Sequence, residues 1–293
     1  MTTIGFIGLG VMGEPMCRNL ARKGGWKVVA FDVRPEPLAR VATHGAHAAE
    51  SARAVVEAAD IVLLSLPGGP QVRALCLGPD GILAHARAGQ IVADTSTCPV
   101  ALARELDAAF AAKGVRFADT PIAKTRQAAE QGTLSIMVGA APKLFAQLQP
   151  VLATMGSEVT HCGPVGSGQL VKLMNNMVIA QTVVALSEAI TIARRAGMDD
   201  ELLFETMTKG SSDSFALRNH GMKTMRSRQF PLQAFSTRYA IKDLSYALDM
   251  AAASGFDAEG AKLTMRRLQA SEQQGHADEY FPAMQQVIDP ETE

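Results

Sequence analysis

An excess of charge of either sign is missing: 28 Lys and Arg face 29 Asp and Glu in 293 residues, a formal net charge of −1. Without a long-range field, neither nucleic acid nor an anionic membrane is an expected partner, and any anion selectivity must come from local placement. Cysteine is scarce, and Cys17, Cys76, Cys98 and Cys162 lie far apart with no CxxC pair. A reduced cytoplasmic protein fits this better than a disulfide framework, and a zinc site has no support. The six histidines show no ligand spacing, so no metal is expected. No basic leader with a cleavage site and no unbroken run of about 18 apolar residues is present, so neither secretion nor membrane insertion is expected. A nucleophile elbow and a P-loop are also missing. What is there is a globular composition, 47% apolar and 19% charged, long enough for one large or two ordinary domains.

Along the chain, short apolar runs alternate with helical spacing. Strands are expected at Thr3 to Leu9, Lys27 to Phe31, Ile61 to Leu66, Gln90 to Ala93, Arg116 to Ala118 and Leu134 to Val138. Strands alternating with helices imply a parallel sheet covered on both faces. The pattern changes at Gly163-Pro164-Val165-Gly166-Ser167-Gly168, a cluster of helix breakers. Beyond it, Gln169 to Ala196 is one long helix-compatible run with apolar residues around much of its circumference, and such a helix should be buried. The later sequence reads as helical, with turns at Gly197, Gly210 and Gly255. The expectation is an α/β domain over 1–163 and an all-α domain over 164–293, joined by the long helix. A homo-oligomer, dimer or tetramer, built on the helical domain is expected, with the site between the domains.

Gly8-Leu9-Gly10-Val11-Met12-Gly13 is GxGxxG placed directly after a strand and opening a helix. Gly8 permits the tight turn, Gly10 lets backbone approach a pyrophosphate, and Gly13 lets helix and strand pack closely. The helix start offers N–H groups and partial positive charge to phosphates. Asp32 ends the second strand, 19 residues after Gly13, where a carboxylate can accept both ribose hydroxyls of NAD and repel the 2′-phosphate of NADP. Arg34 could pair with that phosphate, so NADP remains the alternative. The fold class that follows is α/β, a Rossmann dinucleotide-binding domain followed by helices.

Together these residues resemble the β-hydroxyacid dehydrogenase family, the 3-hydroxyisobutyrate dehydrogenase-like proteins. Four blocks carry the resemblance: Gly5 to Gly13 with Pro15-Met16; Asp119-Thr120-Pro121-Ile122 followed by Gly132-Thr133-Leu134; Gly166-x-Gly168-x-x-x-Lys172-x-x-Asn175-Asn176; and Lys242-Asp243-Leu244. The resemblance implies NAD contacts at Val11, Met12, Asp32, Leu66, Pro67 and Thr97, a cofactor-side role for Lys242, and Lys172 as catalytic acid/base. Lys172 and Asn176 stand at i and i+4, on one helical face. An ammonium there can protonate a carbonyl oxygen as hydride arrives, and the neutral amine can take the proton back in oxidation. Asn176, beside Asn175, can donate to the substrate without adding charge. The bland reading is a lysine snorkelling from an apolar helix; the glycine entry and paired asparagines argue for chemistry.

After Asp-x-Pro, where relatives carry Ser-Gly-Gly, this chain reads Ala123-Lys124-Thr125 and then Arg126. That departure is similar to the sulfolactaldehyde reductase branch, in which a basic residue and a threonine hold a sulfonate. Lys124 and Thr125 are therefore candidates for the substrate's anionic group, beside Thr97; the alternative is a solvent-facing Lys124. The substrate is expected to be a small anionic aldehyde or hydroxy acid. Ser211, Ser212 and Ser214 lie in a segment similar to one that faces the family's cleft but read as capping groups, and Arg218, Asn219 and His220 read as surface or interface polar groups, with contact to a substrate carboxylate or sulfonate as the alternative. Phe235 is a candidate neighbour of the nicotinamide or a core residue. Two rivals share the scaffold: an imine reductase, against which Lys172 argues, and a non-catalytic NAD sensor, which has no need of Lys172 with Asn176.

Overall fold

The computed structural model describes residues 2–290. Contacts divide the chain into two compact units, Met1–Lys172 and Leu173–Glu293. The first opens with strand β1 (Thr3–Ile7), helix α1 (Gly13–Lys23), β2 (Lys27–Phe31), α2 (Pro35–Ala42), β3 (Ala46–Ala48) and α3 (Ala52–Ala58). It continues through β4 (Ile61–Leu64), α4 (Gly69–Leu77), α5 (Ile82–His85), β5 (Ile91–Asp94), α6 (Val100–Ala111), β6 (Arg116–Asp119) and β7 (Ile122–Ala123). Then come α7 (Arg126–Gln131), β8 (Leu134–Gly139), α8 (Pro142–Leu152) and β9 (Gly156–Gly163). The expected dinucleotide-binding architecture is present: β3-β2-β1-β4-β5-β6 run parallel, with β1 between β2 and β4.

Side chains alternate across this sheet because strand geometry sends successive residues to opposite faces. Ile4, Phe6 and Leu63 join one buried cluster with Met16 and Leu20 of α1. Ile7, Val62 and Leu64 join another with Val55 of α3 and Phe110 of α6. Both faces are covered, as continuous apolar strands require.

The sheet is not wholly parallel, and here the sequence expectation is corrected. Strand β8 runs antiparallel to β6 and β7, and β9, unanticipated, runs parallel to β8. The sequence Ser157-Glu158-Val159-Thr160-His161 has the polar look of a loop because much of β9 is solvent-facing.

Helix α9 (Ser167–Arg195) follows, then α10 (Asp200–Met207), a π-helix over Leu217–Met225, α11 (Thr237–Ala253) and α12 (Glu259–Ser271). Among the described residues, the second unit is helical apart from turns and a single β-bridge. The first unit reaches Lys172, past the expected change at 163/164, because the start of α9 is held against the sheet, as described below. The expectation that α9 is buried all round fails: Val178 is 57% and Ile192 69% exposed. By length and composition α9 could cross a membrane, with a mean hydropathy of 1.5 over its best window. A core helix passes the same test, and 44% of that window is buried within the protein.

Candidate active site

The glycine turn is built as its sequence requires. Gly8 has φ +96°, and a Cβ there would stand 2.2 Å from the Ser65 carbonyl oxygen, so only glycine fits. A Cβ on Gly13 would lie 2.0 Å from the Gly8 oxygen, whereas one on Gly10 would meet nothing within 4 Å. The space beside Gly10 is therefore open to a ligand. No side chain caps the start of α1, which leaves the helix terminus to an incoming anion. Val11 is exposed and Met12 half-buried at the same place.

Asp32 follows β2 and ties the turn together. Its Oδ2 accepts from Leu9 N at 2.6 Å, and its Oδ1 accepts from Arg34 N at 2.9 Å and Arg34 Nε at 3.2 Å. Burial pushes this carboxyl up, but the N–H groups of Arg34 and Leu9 and the guanidinium outweigh it and hold the group below the usual range. Arg34 also donates to Leu9 O at 3.1 Å. The structure thus uses Arg34 to brace Asp32, a role the sequence did not suggest. Leu66 and Pro67 follow β4, half-buried and exposed respectively, and Thr97 follows β5, half-buried. The glycine turn, Asp32, the Leu66 loop and the Thr97 loop all leave the C-terminal ends of parallel strands, where open α/β sheets bind ligands. NAD fits this arrangement: open backbone at Gly10, an uncapped helix start and a carboxylate at the end of β2.

Lys172, 9% exposed, is carried by α9, whose first turn is anchored by Asp119, a residue of the second motif block whose role here the sequence did not suggest. Asp119, wholly buried at the end of β6, accepts from Gly166 N and Gln169 N, both at 2.7 Å. A carboxylate at a helix start meets both the unpaired N–H groups and the dipole. Burial raises the Asp119 carboxyl to about 6 despite those donors, and burial likewise raises Asp94, its partner across β5 and β6, to about 6. Gly168 lies against Asp119, where a Cβ would come within 2.8 Å of its Oδ2.

The loop at Ala123-Lys124-Thr125, expected to meet the substrate's anionic group, differs from that expectation in detail. Lys124 is exposed and holds φ +83°, a conformation that favours glycine, and its ammonium donates to Thr133 O at 2.8 Å. Thr125 caps α7, accepting from Ala128 N at 3.4 Å, and Ala123 is half-buried in β7. Arg126 pairs with Glu130. Asn19 and Lys23 of α1 reach the other end of α7, donating to Ala129 O at 2.7 Å and Gln131 O at 3.3 Å. The loop is therefore mounted on the same helix that the glycine turn opens.

In the second unit, Asn176 Nδ2 donates to Asp243 Oδ2 at 2.6 Å, and Asn175 Nδ2 donates to Asn176 Oδ1 at 3.1 Å. Lys242 pairs with Asp243 Oδ1 at 2.7 Å, with its ammonium 5.8 and 5.2 Å from the ring centres of Tyr239 and Tyr246. Asp243, 2% exposed, thus orients both residues. Its place beside Lys242 was legible, but its bond to Asn176 was not. Phe235, 36% exposed, packs edge-on against Phe281. His220 corrects the reading of a surface group. It is 4% exposed, ringed by Phe215, Tyr280 and Phe281, with Nδ1 hydrogen-bonded to Tyr280 Oη at 2.6 Å. Arg218 pairs with Asp213 and Asn219 with Lys223, both at the surface, and Ser214 caps the next helix. Among the described residues no cluster of three His, Cys, Asp or Glu side chains could hold a metal.

Comparison with known proteins matches both units. Residues 3–163 match the NAD-binding domain of 6-phosphogluconate dehydrogenase, and residues 166–288 the NAD-binding family of NADP-dependent 3-hydroxyisobutyrate dehydrogenase. The chain is 36% identical over 246 residues to 2-(hydroxymethyl)glutarate dehydrogenase of Eubacterium barkeri, covering 84% of this chain and 81% of that one. It is 32% identical to an NAD-dependent L-serine dehydrogenase of Pseudomonas aeruginosa, covering 99% of each chain. The solved 3-hydroxyisobutyrate dehydrogenase of Mycobacterium tuberculosis with L-serine superposes with TM-score 0.89 at 34% identity, covering 99% of both chains. An imine reductase from Myxococcus stipitatus shares the fold alone, with TM-score 0.65 at 21% identity. On these matches and on the glycine turn, the chain belongs to the β-hydroxyacid dehydrogenase family and is an NAD-dependent dehydrogenase acting on a hydroxyl group of a small hydroxy acid.

Proposed function

We propose that this dehydrogenase interconverts a short anionic 3-hydroxy acid and its semialdehyde, with Lys172 moving the proton. The observation that carries the reading is Lys172 itself, an ammonium nine-tenths buried one turn beyond a helix start bound to the sheet by Asp119. An amine held there is largely withdrawn from bulk water, on the face of α9 that follows the anchored turn. Bound NAD supplies the hydride acceptor or donor. In reduction the ammonium gives its proton to the carbonyl oxygen, and in oxidation the amine takes the hydroxyl proton. Asn175 and Asn176, the latter fixed by Asp243, serve the substrate. Thr97, Ala123, Lys124 and Thr125 serve its acidic end. Gly8, Gly10, Val11, Met12, Gly13, Asp32, Arg34, Leu66, Pro67, Thr97, Phe235 and Lys242 serve NAD.

The relatives' names support a substrate class: 2-(hydroxymethyl)glutarate, L-serine and 3-hydroxyisobutyrate each carry a hydroxymethyl group on the carbon next to a carboxylate. A second reading, a sulfonate in place of the carboxylate, is favoured by Lys124. Its strained φ puts a cation where the family has a small residue, and one bond to Thr133 O leaves two of its three donors for an anion. The test is NADH oxidation with 3-sulfolactaldehyde, methylmalonate semialdehyde and tartronate semialdehyde. A kcat/KM for the sulfonate about tenfold above both carboxylates supports the second reading. Equal or better turnover of a carboxylate removes it, and turnover of none removes the class.

A homo-oligomer, dimer or tetramer, is part of the same proposal, because α9 leaves Val178 and Ile192 exposed. A monomer by light scattering at micromolar concentration rejects it. The four free cysteines fit a reducing compartment such as the cytoplasm.

A further inference from the structure

We propose that Gln169 is a positioning residue for the reaction, a buried amide clamp that fixes Thr97 relative to Lys172; this rests on the reading of Lys172 as the proton carrier. Gln169 is wholly buried. Its Oε1 accepts from Cys98 N at 3.0 Å and its Nε2 donates to Ser96 O at 2.8 Å. Those two main-chain groups flank Thr97, so the carboxamide grips the backbone on both sides of that residue, as a neighbouring strand would. The main chain of Gln169 is held too, with its N–H on Asp119 Oδ2 at 2.7 Å. Lys172 lies three residues further on, on the same face of α9.

The clamp continues into the next loop. Ser96 Oγ accepts from Leu66 N at 2.9 Å, and Ser96 N donates to Asp94 Oδ1 at 2.9 Å. One side chain therefore joins the loop after β5, through it the loop after β4, and the helix that carries Lys172. An apolar residue could fill the same volume without the cost of burying a carboxamide. A buried amide with both ends satisfied adds direction instead, because its bonds hold only at one register of helix against loop.

The test compares wild type with Gln169→Leu, which removes both bonds, and Gln169→Glu, which keeps the acceptor for Cys98 N but donates to Ser96 O only when protonated. For each, kcat and the Kd for NADH are measured across pH, with Lys172→Ala alongside. Misplacing a reacting group by about 1 Å costs on the order of 100-fold in rate. The expected result is a kcat loss of about 30-fold or more in Gln169→Leu, with NADH affinity within about threefold of wild type because the glycine turn is untouched. Gln169→Glu is expected to show a similar loss at neutral pH and to recover relative to wild type as pH falls. Should Gln169→Leu fail to fold, Gln169→Glu decides alone. A kcat within about threefold of wild type at every pH overturns the clamp, and so does a parallel loss of kcat and NADH affinity. Wild-type turnover in Lys172→Ala sinks the proton-carrier reading whatever the Gln169 variants do. Normal Gln169 variants beside an inactive Lys172→Ala sink the clamp alone.

Discussion

Replacing Gly10 by alanine separates the fold of the glycine turn from its task. The added methyl would meet no atom within 4 Å, whereas at Gly13 it would stand 2.0 Å from the Gly8 carbonyl oxygen, a backbone atom that cannot swing aside. Gly10→Ala is therefore expected to change unfolding free energy by less than about 1 kcal/mol, chiefly by reducing the freedom of the unfolded chain. The methyl does fill the space through which a pyrophosphate approaches the backbone. Losing one charge-assisted hydrogen bond there is worth about 1.5–3 kcal/mol, which weakens the Kd for NADH roughly 10- to 100-fold. Gly13→Ala, by contrast, must move the turn, at a cost on the order of 2–4 kcal/mol. Fluorescence titration with NADH and calorimetric melting of both variants give the answer. Wild-type NADH affinity in Gly10→Ala would refute the argument, as would a melting temperature depressed as far as that of Gly13→Ala.

Asp32→Asn should lower kcat/KM for NADH by about tenfold or more while lowering that for NADPH less, because the lost charge is the one that repels a 2′-phosphate; an NADPH preference in the wild type contradicts this. His220 gives a pH dependence of stability. Burial lowers its pKa from the usual 6.5 to about 4, so the native imidazole resists a proton that the unfolded chain accepts. Its contribution is present above about pH 6.5 and is lost as pH falls towards 4, on the order of 3 kcal/mol in all. The urea midpoint should therefore fall less between pH 7.5 and pH 4.5 in His220→Phe than in wild type. Asp94 and Asp119, raised by burial to about 6, act with the opposite sign over the same range but are common to both proteins. Parallel losses in the two proteins would remove His220 as the cause.

What was legible in the sequence was local. The glycine turn, its strand and Asp32 fall within one βαβ unit, and Lys172 with Asn176 is a single helical turn. The clamp was not legible, because Gln169 meets Ser96 and Cys98 more than 70 residues away and Asp119 from 50 away. The bond between Asn176 and Asp243 spans 67 residues. His220 was misread for a similar reason. Its neighbours Arg218 and Asn219 are surface groups, and the rings that bury the imidazole, Tyr280 and Phe281, come from about 60 residues further along the chain. Strand β9 escaped because its exposed residues break the apolar alternation that marks a half-buried strand. Lys124 stood out as a departure from the family, but its left-handed backbone and its bond to Thr133 needed coordinates.

The proposed proton transfer by Lys172 is tested most directly by single-turnover hydride transfer in Lys172→Ala. Loss of one acid–base group removes about 100- to 10,000-fold in rate. The variant should bind NADH as the wild type does, transfer hydride slower by that factor, and regain part of the rate when a small primary amine is added. Hydride transfer within a few-fold of wild type, with no response to the amine, would contradict it.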